Sequence, residues 1–152
     1  NLKKQKLKMI PEGIQGFTEL IVLRLDKNQI EILPDWLSEL NHLEILSAER
    51  NQLTEFPSVI LDLENLKELY LGDNFITAIP IDIDLLKNLE WLGLWSNLLR
   101  RFPSSLSDMP KLTTLDILYN DMTFSEQTWL LELLPHINVE MSEPCHCTFD
   151  DE

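Results

Sequence analysis

Residues Leu89 to Leu99 read LEWLGLWSNLL. In an extended strand, side chains two apart share a face, so Leu92 and Leu94 point one way and Trp91, Gly93 and Trp95 the other. The stretch therefore asks which face is core. Repetition along the chain answers it. Leu89 recurs every 23 residues as Leu20, Leu43, Leu66 and Leu112, and Leu92 as Leu23, Leu46, Leu69 and Leu115. Asn97 keeps step with Asn28, Asn51, Asn74 and Asn120, and Pro103 with Pro11, Pro34, Pro57 and Pro80. Two more apolar columns follow, one from Leu7 through Ile30, Leu53, Ile76 and Leu99 to Met122, the other from Phe17 through Leu40, Leu63 and Leu86 to Met109. This many columns in register make an internal repeat, whose units bury a continuous core only by stacking.

Each unit reads L-x-x-L-x-L-x-x-N-x-L-x-x-h-P-x-x-h-x-x-L-x-x, where h is apolar. This pattern resembles the leucine-rich-repeat family in its typical 23-residue form, over Leu2 to about Leu134. The resemblance implies an α/β leucine-rich-repeat solenoid, a horseshoe with one parallel strand per repeat on its concave side. A partial repeat covers 1–19, and full repeats cover 20–42, 43–65, 66–88, 89–111 and 112–134, within a single domain of 1–141. Ala48 is the small member of the third leucine column, and Gln5 stands in place of the first asparagine. Each recurring asparagine is expected to turn inward and bond backbone groups of adjacent turns, because a buried amide needs such partners.

At the C-terminal end Ser125 and Glu126 break the pattern, and SEQTWLLELLP opens a helix over about 125–134. Ser125 or Thr123 supplies the N-cap. Trp129, Leu130, Leu133 and Leu134 can lie on one face over the last repeat. Pro135 ends the helix, a final strand follows at about 136–141, and 142–152 reads as a polar tail. The ending resembles that of short bacterial leucine-rich-repeat proteins of the spirochaetal type, suspected in host contact. The sequence starts mid-repeat, with Asn1 aligned to Arg24, and no polar cap precedes Leu2, Leu7, Ile10, Ile14 and Phe17. Either residues have been trimmed there, or a partner covers the apolar end.

Charge narrows the partners. The net charge is −14, from 26 acids against 12 bases, which opposes nucleic acid and anionic membrane surfaces. Lys3, Lys4 and Lys6 crowd the start and read as a solvated end. No apolar run approaches the roughly 20 residues of a membrane span. The two cysteines, Cys145 and Cys147, leave no disulfide framework.

With the leucines inside, Trp91, Gly93 and Trp95 face the concave surface. The columns beside them place Tyr70, Phe75, Leu98, Leu118 and Tyr119 there too, fringed by Glu68, Asp73, Asp116 and Asp121. The core does not demand these residues, and aromatic patches of this kind mark interaction sites. A second reading is that Tyr70 and Trp95 lie flat over their neighbours Gly93 and Gly72, covering bare backbone. Trp36 and Val59 fall on the convex side as isolated exposed apolar residues.

No nucleophile, phosphate-loop or zinc-protease motif occurs, and only four glycines are available for anion-cradling turns. The chain therefore reads as a non-enzyme without a cofactor. Cys145, His146 and Cys147 are the one cluster of soft ligands, an incomplete zinc site that would need His136, a carboxylate or a second molecule. The expected function is binding of a protein ligand through the concave aromatic face. The resemblance implies a bacterial protein, exported or at the cell surface. Its alternatives are a cytoplasmic signalling scaffold, like the Ras-associated leucine-rich-repeat proteins, and a homo-oligomer formed through the uncapped N-terminal end.

Overall fold

In each repeat the second leucine is flanked by two outward residues, and that triplet forms the strand. The computed structural model describes residues 1–144. Its strands are β1 (Val22–Arg24), β2 (Ile45–Ser47), β3 (Glu68–Tyr70), β4 (Trp91–Gly93), β5 (Thr114–Asp116) and β6 (Asn138–Glu140). They form one parallel six-stranded sheet in chain order. The register steps by 23 residues at each crossing from β1 to β5, pairing Leu23 with Leu46, Leu46 with Leu69 and Leu69 with Leu92.

The return path of each repeat is a short 3-10 helix, at Glu12–Ile14, Asp35–Glu39, Ser58–Asp62, Ile83–Leu85 and Ser104–Asp108. The repeat prolines explain their starts. Pro34, Pro57 and Pro103 occupy the N-cap with φ between −74° and −69°, a value their rings impose in advance. One apolar residue in each of the last four 3-10 turns, Leu37, Ile60, Ile83 or Leu106, is fully buried, and the first turn has none. With the leucine columns these side chains make one continuous core from Ile10 to Leu134, each contributing about 1.5–3 kcal/mol by burial.

The asparagines form the ladder. Asn97 Oδ1 accepts from Ile76 N–H at 3.0 Å, while its Nδ2 donates to Leu71 O and Leu94 O, both at 3.0 Å. Asn51, Asn74 and Asn120 repeat this geometry. The sequence pattern does not display what lets the amide swing inward. The preceding residue, Lys27, Arg50, Asp73, Ser96 or Tyr119, is left-handed, with φ between 51° and 59°. That conformation costs a non-glycine residue about 1–2 kcal/mol. It persists because the same residue's N–H extends the sheet ladder, as from Arg50 to Gly72 O at 2.9 Å.

At the N-terminal side, Leu2 N–H donates to Arg24 O at 2.8 Å and Lys4 N–H to Asp26 O at 3.0 Å, continuing the ladder onto β1. Ile10 is buried, and Leu2, Leu7 and Ile14 are half-buried against the core. Phe17 departs from its buried column and is 59% exposed.

The other end is closed by α1 (Phe124–Leu133). Its N-cap is Thr123 rather than Ser125, and Thr123 and Glu126 satisfy each other's backbone N–H in a capping box. Leu130 and Leu134 are buried as the periodicity expects, and Leu133 is half-buried. Trp129 is not part of that face and is 45% exposed. The buried polar residue is Gln127, whose Nε2 donates to Ser142 O at 3.0 Å. Ser142 Oγ in turn accepts Tyr119 N–H at 2.7 Å, replacing the carbonyl that a further repeat would offer. Trp36 and Val59, expected as exposed convex residues, are half-buried and pack against the core. The 3-10 turns lay them along it.

Candidate functional site

The concave face carries the outward residues of β1 to β6 at a fixed spacing of about 4.8 Å. Its aromatic centre is not a set of free rings. The Trp95 indole lies directly on Gly72, so closely that a β-carbon there would overlap it. Trp95 Nε1–H donates to Glu49 Oε1 at 2.8 Å, two repeats back. The Arg50 guanidinium stacks over the same ring, 5.7 Å from its centroid, and pairs with Asp73 at 3.5 Å.

A second cluster sits beside it. The Tyr70 and Trp91 rings are 6.2 Å apart and tilted by 34°. Both stand over Gly93, where an added β-carbon would be 3.3 Å from Tyr70 Cδ1 and from Trp91 Nε1. Tyr70 O–H donates to Glu68 Oε2 at 2.8 Å. Burial, then that bond and the charge of Glu68, raise the Tyr70 phenol to about 12. Trp91 Nε1–H is buried with no hydrogen-bond partner among the described residues.

Tyr70, Trp91, Trp95 and Leu118 are consequently half-buried, and the expected wide-open patch is reduced at its centre. The rings fill the gaps left by Gly72 and Gly93, because a bare backbone in a parallel sheet is covered by its neighbours. Full exposure shifts to the rim where the strands end. There Phe75 is 51%, Leu98 48% and Tyr119 70% exposed, with Asp73 exposed among them.

The acids divide as well. Asp116 lies opposite Glu140 in the β5–β6 register and accepts Leu118 N–H at 3.1 Å. Burial raises its carboxyl above the usual value, the Leu118 bond opposes this, and the charges of Glu140 and Glu49 add to it. Asp26, in one repeat column with Glu49 and Trp95, is buried at 4% exposure. It accepts from Ser47 Oγ and from Glu49 N–H, and Lys3 pairs with it, so Lys3 is not simply solvated. A buried carboxylate of this kind gives no periodic signal, since its partners come from two neighbouring turns.

Sequence reasoning also passed over Arg100 and Arg101, which line two hollows on the flank below the rim, one of them beside Trp129. A signal existed. Two adjacent arginines stand where the preceding repeat has Thr77 and Ala78.

Among the described residues, no group of three His, Cys, Asp or Glu side chains is arranged to hold a metal ion. Cys145, His146 and Cys147 lie outside the described residues. No helix among the described residues is long and apolar enough to cross a membrane.

No family model matches the chain, and no curated protein matches it. Among solved structures it is similar to a leucine-rich-repeat protein of Leptospira interrogans, with a TM-score of 0.75 and 27% identity over 92% of this chain. The chain spans 42% of that protein's length. A fold of this kind is typically a non-enzymatic binding scaffold and supports a protein-interaction module. The parallel sheet, the asparagine ladder and this likeness agree: the chain folds as a leucine-rich-repeat solenoid closed by a C-terminal helical cap.

Proposed function

We propose that the chain binds a protein partner through its concave face, with the pinned rings of Tyr70, Trp91 and Trp95 as floor and Phe75, Leu98 and Tyr119 as exposed rim. The observation that carries this reading is the exposure of the three rim residues beside rings already locked to their own chain. Rings fixed before contact lose little entropy on binding, and the exposed apolar side chains supply area to bury. Tyr70 and Trp91 cover Gly93 to make a shallow floor, bordered by Glu68 and Asp116, with Asp73 out on the rim. The setting we propose is a bacterial protein, exported or at the cell surface, that contacts a host macromolecule. The likeness to the Leptospira protein supports the bacterial setting.

The test is affinity capture from host and bacterial extracts with wild type and a Phe75→Ser/Leu98→Ser/Tyr119→Ser variant of equal thermal stability. A protein retained by wild type and lost by the variant, and again lost by Trp91→Ala, supports the concave face. Identical retention by all three proteins sinks the reading. Fractionation of cells expressing the full-length gene tests the compartment.

A further inference from the structure

We propose that the flank groove at Arg100, Arg101 and Trp129 is a second docking site, meeting the concave face only at the rim residue Leu98, for an acidic extended segment of a protein partner. Two adjoining hollows of about 390 and 430 Å³ share both arginines. One continues over Phe102, Ser125 and Glu126 to the exposed Trp129 indole, the other over Thr77 and Ala78 to Leu98. Neither guanidinium forms an ion pair or a side-chain hydrogen bond among the described residues; several other bases, Arg24 among them, are likewise without an ion pair, but only these two share a pair of hollows.

The nearby acids do not quench them. Glu126 is committed to the capping box, accepting from Thr123 N–H at 2.7 Å and from Thr123 Oγ1 at 2.8 Å. Asp121 borders the second hollow without pairing to either arginine. The solenoid does not require arginine here, since the preceding repeats place Thr54, Glu55, Thr77 and Ala78 at the same two positions.

The chemistry of the occupant follows. Guanidinium groups take carboxylates in forked, charge-assisted pairs, and a half-exposed indole beside them takes an apolar side chain. A segment alternating acids with apolar residues meets both demands. A polyanion of high charge density is disfavoured, because the rest of a chain of net charge −14 repels it while two arginines attract it. A short acidic segment gains the two arginines and stays clear of the remaining acids.

The probe is a short fluorescent peptide alternating glutamate with phenylalanine, titrated by anisotropy against the whole chain at low and high salt. A second peptide carries glutamine at every glutamate. Binding is expected for the first peptide only, weakening with salt. Arg100→Ala/Arg101→Ala is expected to reduce affinity about tenfold or more, the loss of at least one charged pair. Trp129→Ala reduces it too, and Trp91→Ala on the concave face leaves it unchanged. These four side chains are exposed or outside the leucine core, and a thermal melt checks that each variant folds. Equal binding by the double-arginine variant, or by the glutamine peptide, overturns the proposal. Binding that appears only when Asp150, Asp151 and Glu152 are changed to amides also overturns it, since the groove would then serve the chain's own acids. Loss of the peptide with Trp91→Ala alone would move the site to the concave face.

Discussion

The Trp95 indole occupies the space that a side chain at Gly72 would need. The two residues are neighbours in adjacent repeats, and the ring edge that lies on Gly72 is held there through its Nε1–H, which donates to Glu49 at 2.8 Å. Gly72 is therefore set by packing and not by backbone conformation, since no glycine among the described residues has positive φ. Gly72→Ala is expected to destabilise the fold by about 1–3 kcal/mol, because the ring must leave its place and lose the Glu49 bond. Trp95→Ala in the same chain should recover most of that cost. Urea denaturation of both single variants and the double variant measures the coupling, and additive effects would show that the ring and the glycine are independent.

The ladder predicts a large penalty from one amide. Asn97→Ala removes the acceptor for Ile76 N–H and the donor for Leu71 O and Leu94 O, all buried. Each orphaned group costs about 1–3 kcal/mol, so a loss of about 3 kcal/mol or more is expected in chemical denaturation. Asn97→Asp should also be poorly tolerated, because a carboxylate serves Ile76 but cannot donate to the two carbonyls.

Two charges side by side give a prediction of opposite sign. Asp116 and Glu140 are register neighbours, and burial with the charge of Glu140 raises the Asp116 carboxyl. An acid with a raised folded value costs stability when ionised, so the cost is present at neutral pH and fades as pH falls through that value. Asp116→Asn keeps the acceptor for Leu118 N–H and removes the charge. A gain of about 0.2–1 kcal/mol at neutral pH is expected, shrinking in acid, and a variant no more stable than wild type would show that the charged Asp116 carboxylate costs the fold nothing.

The Tyr70 phenol, raised to about 12 by burial and by its bond to Glu68, makes the fold sensitive to alkali. The neutral phenol is the form the folded chain prefers. Its contribution is complete below the unfolded value of about 10 and is lost as pH rises from there through about 12. Tyrosinate absorbance in a Tyr119→Phe background follows Tyr70 alone. Glu68→Gln should bring the titration down, and an unshifted curve would show that burial acts by itself.

The cap is testable through Thr123. Thr123→Ala removes the acceptor for Glu126 N–H and should cost about 1 kcal/mol. Hydrogen exchange should rise first in α1, because the capping box holds the helix start and Leu130 holds its middle. Uniform loosening of all repeats would instead indicate that α1 folds only with the whole solenoid.

The sequence by itself determined the solenoid. A 23-residue period with asparagine and proline in phase leaves one way to bury the leucines, so strand triplets, inward faces and ladder follow from spacing. It also named the residues of the concave face, because a strand's alternation is forced once its core side is known. Tertiary structure alone decided how exposed each of them is. Exposure depends on what the next turn offers, and Gly72, Glu49 and Arg50 together fold Trp95 down, while among the described residues no such neighbours hold the Phe75 and Tyr119 rings. The same reason hid Asp26 inside and left Trp129 and the two arginines outside. Their surroundings come from side chains about one repeat away, whose directions are set by packing and leave no mark on the period.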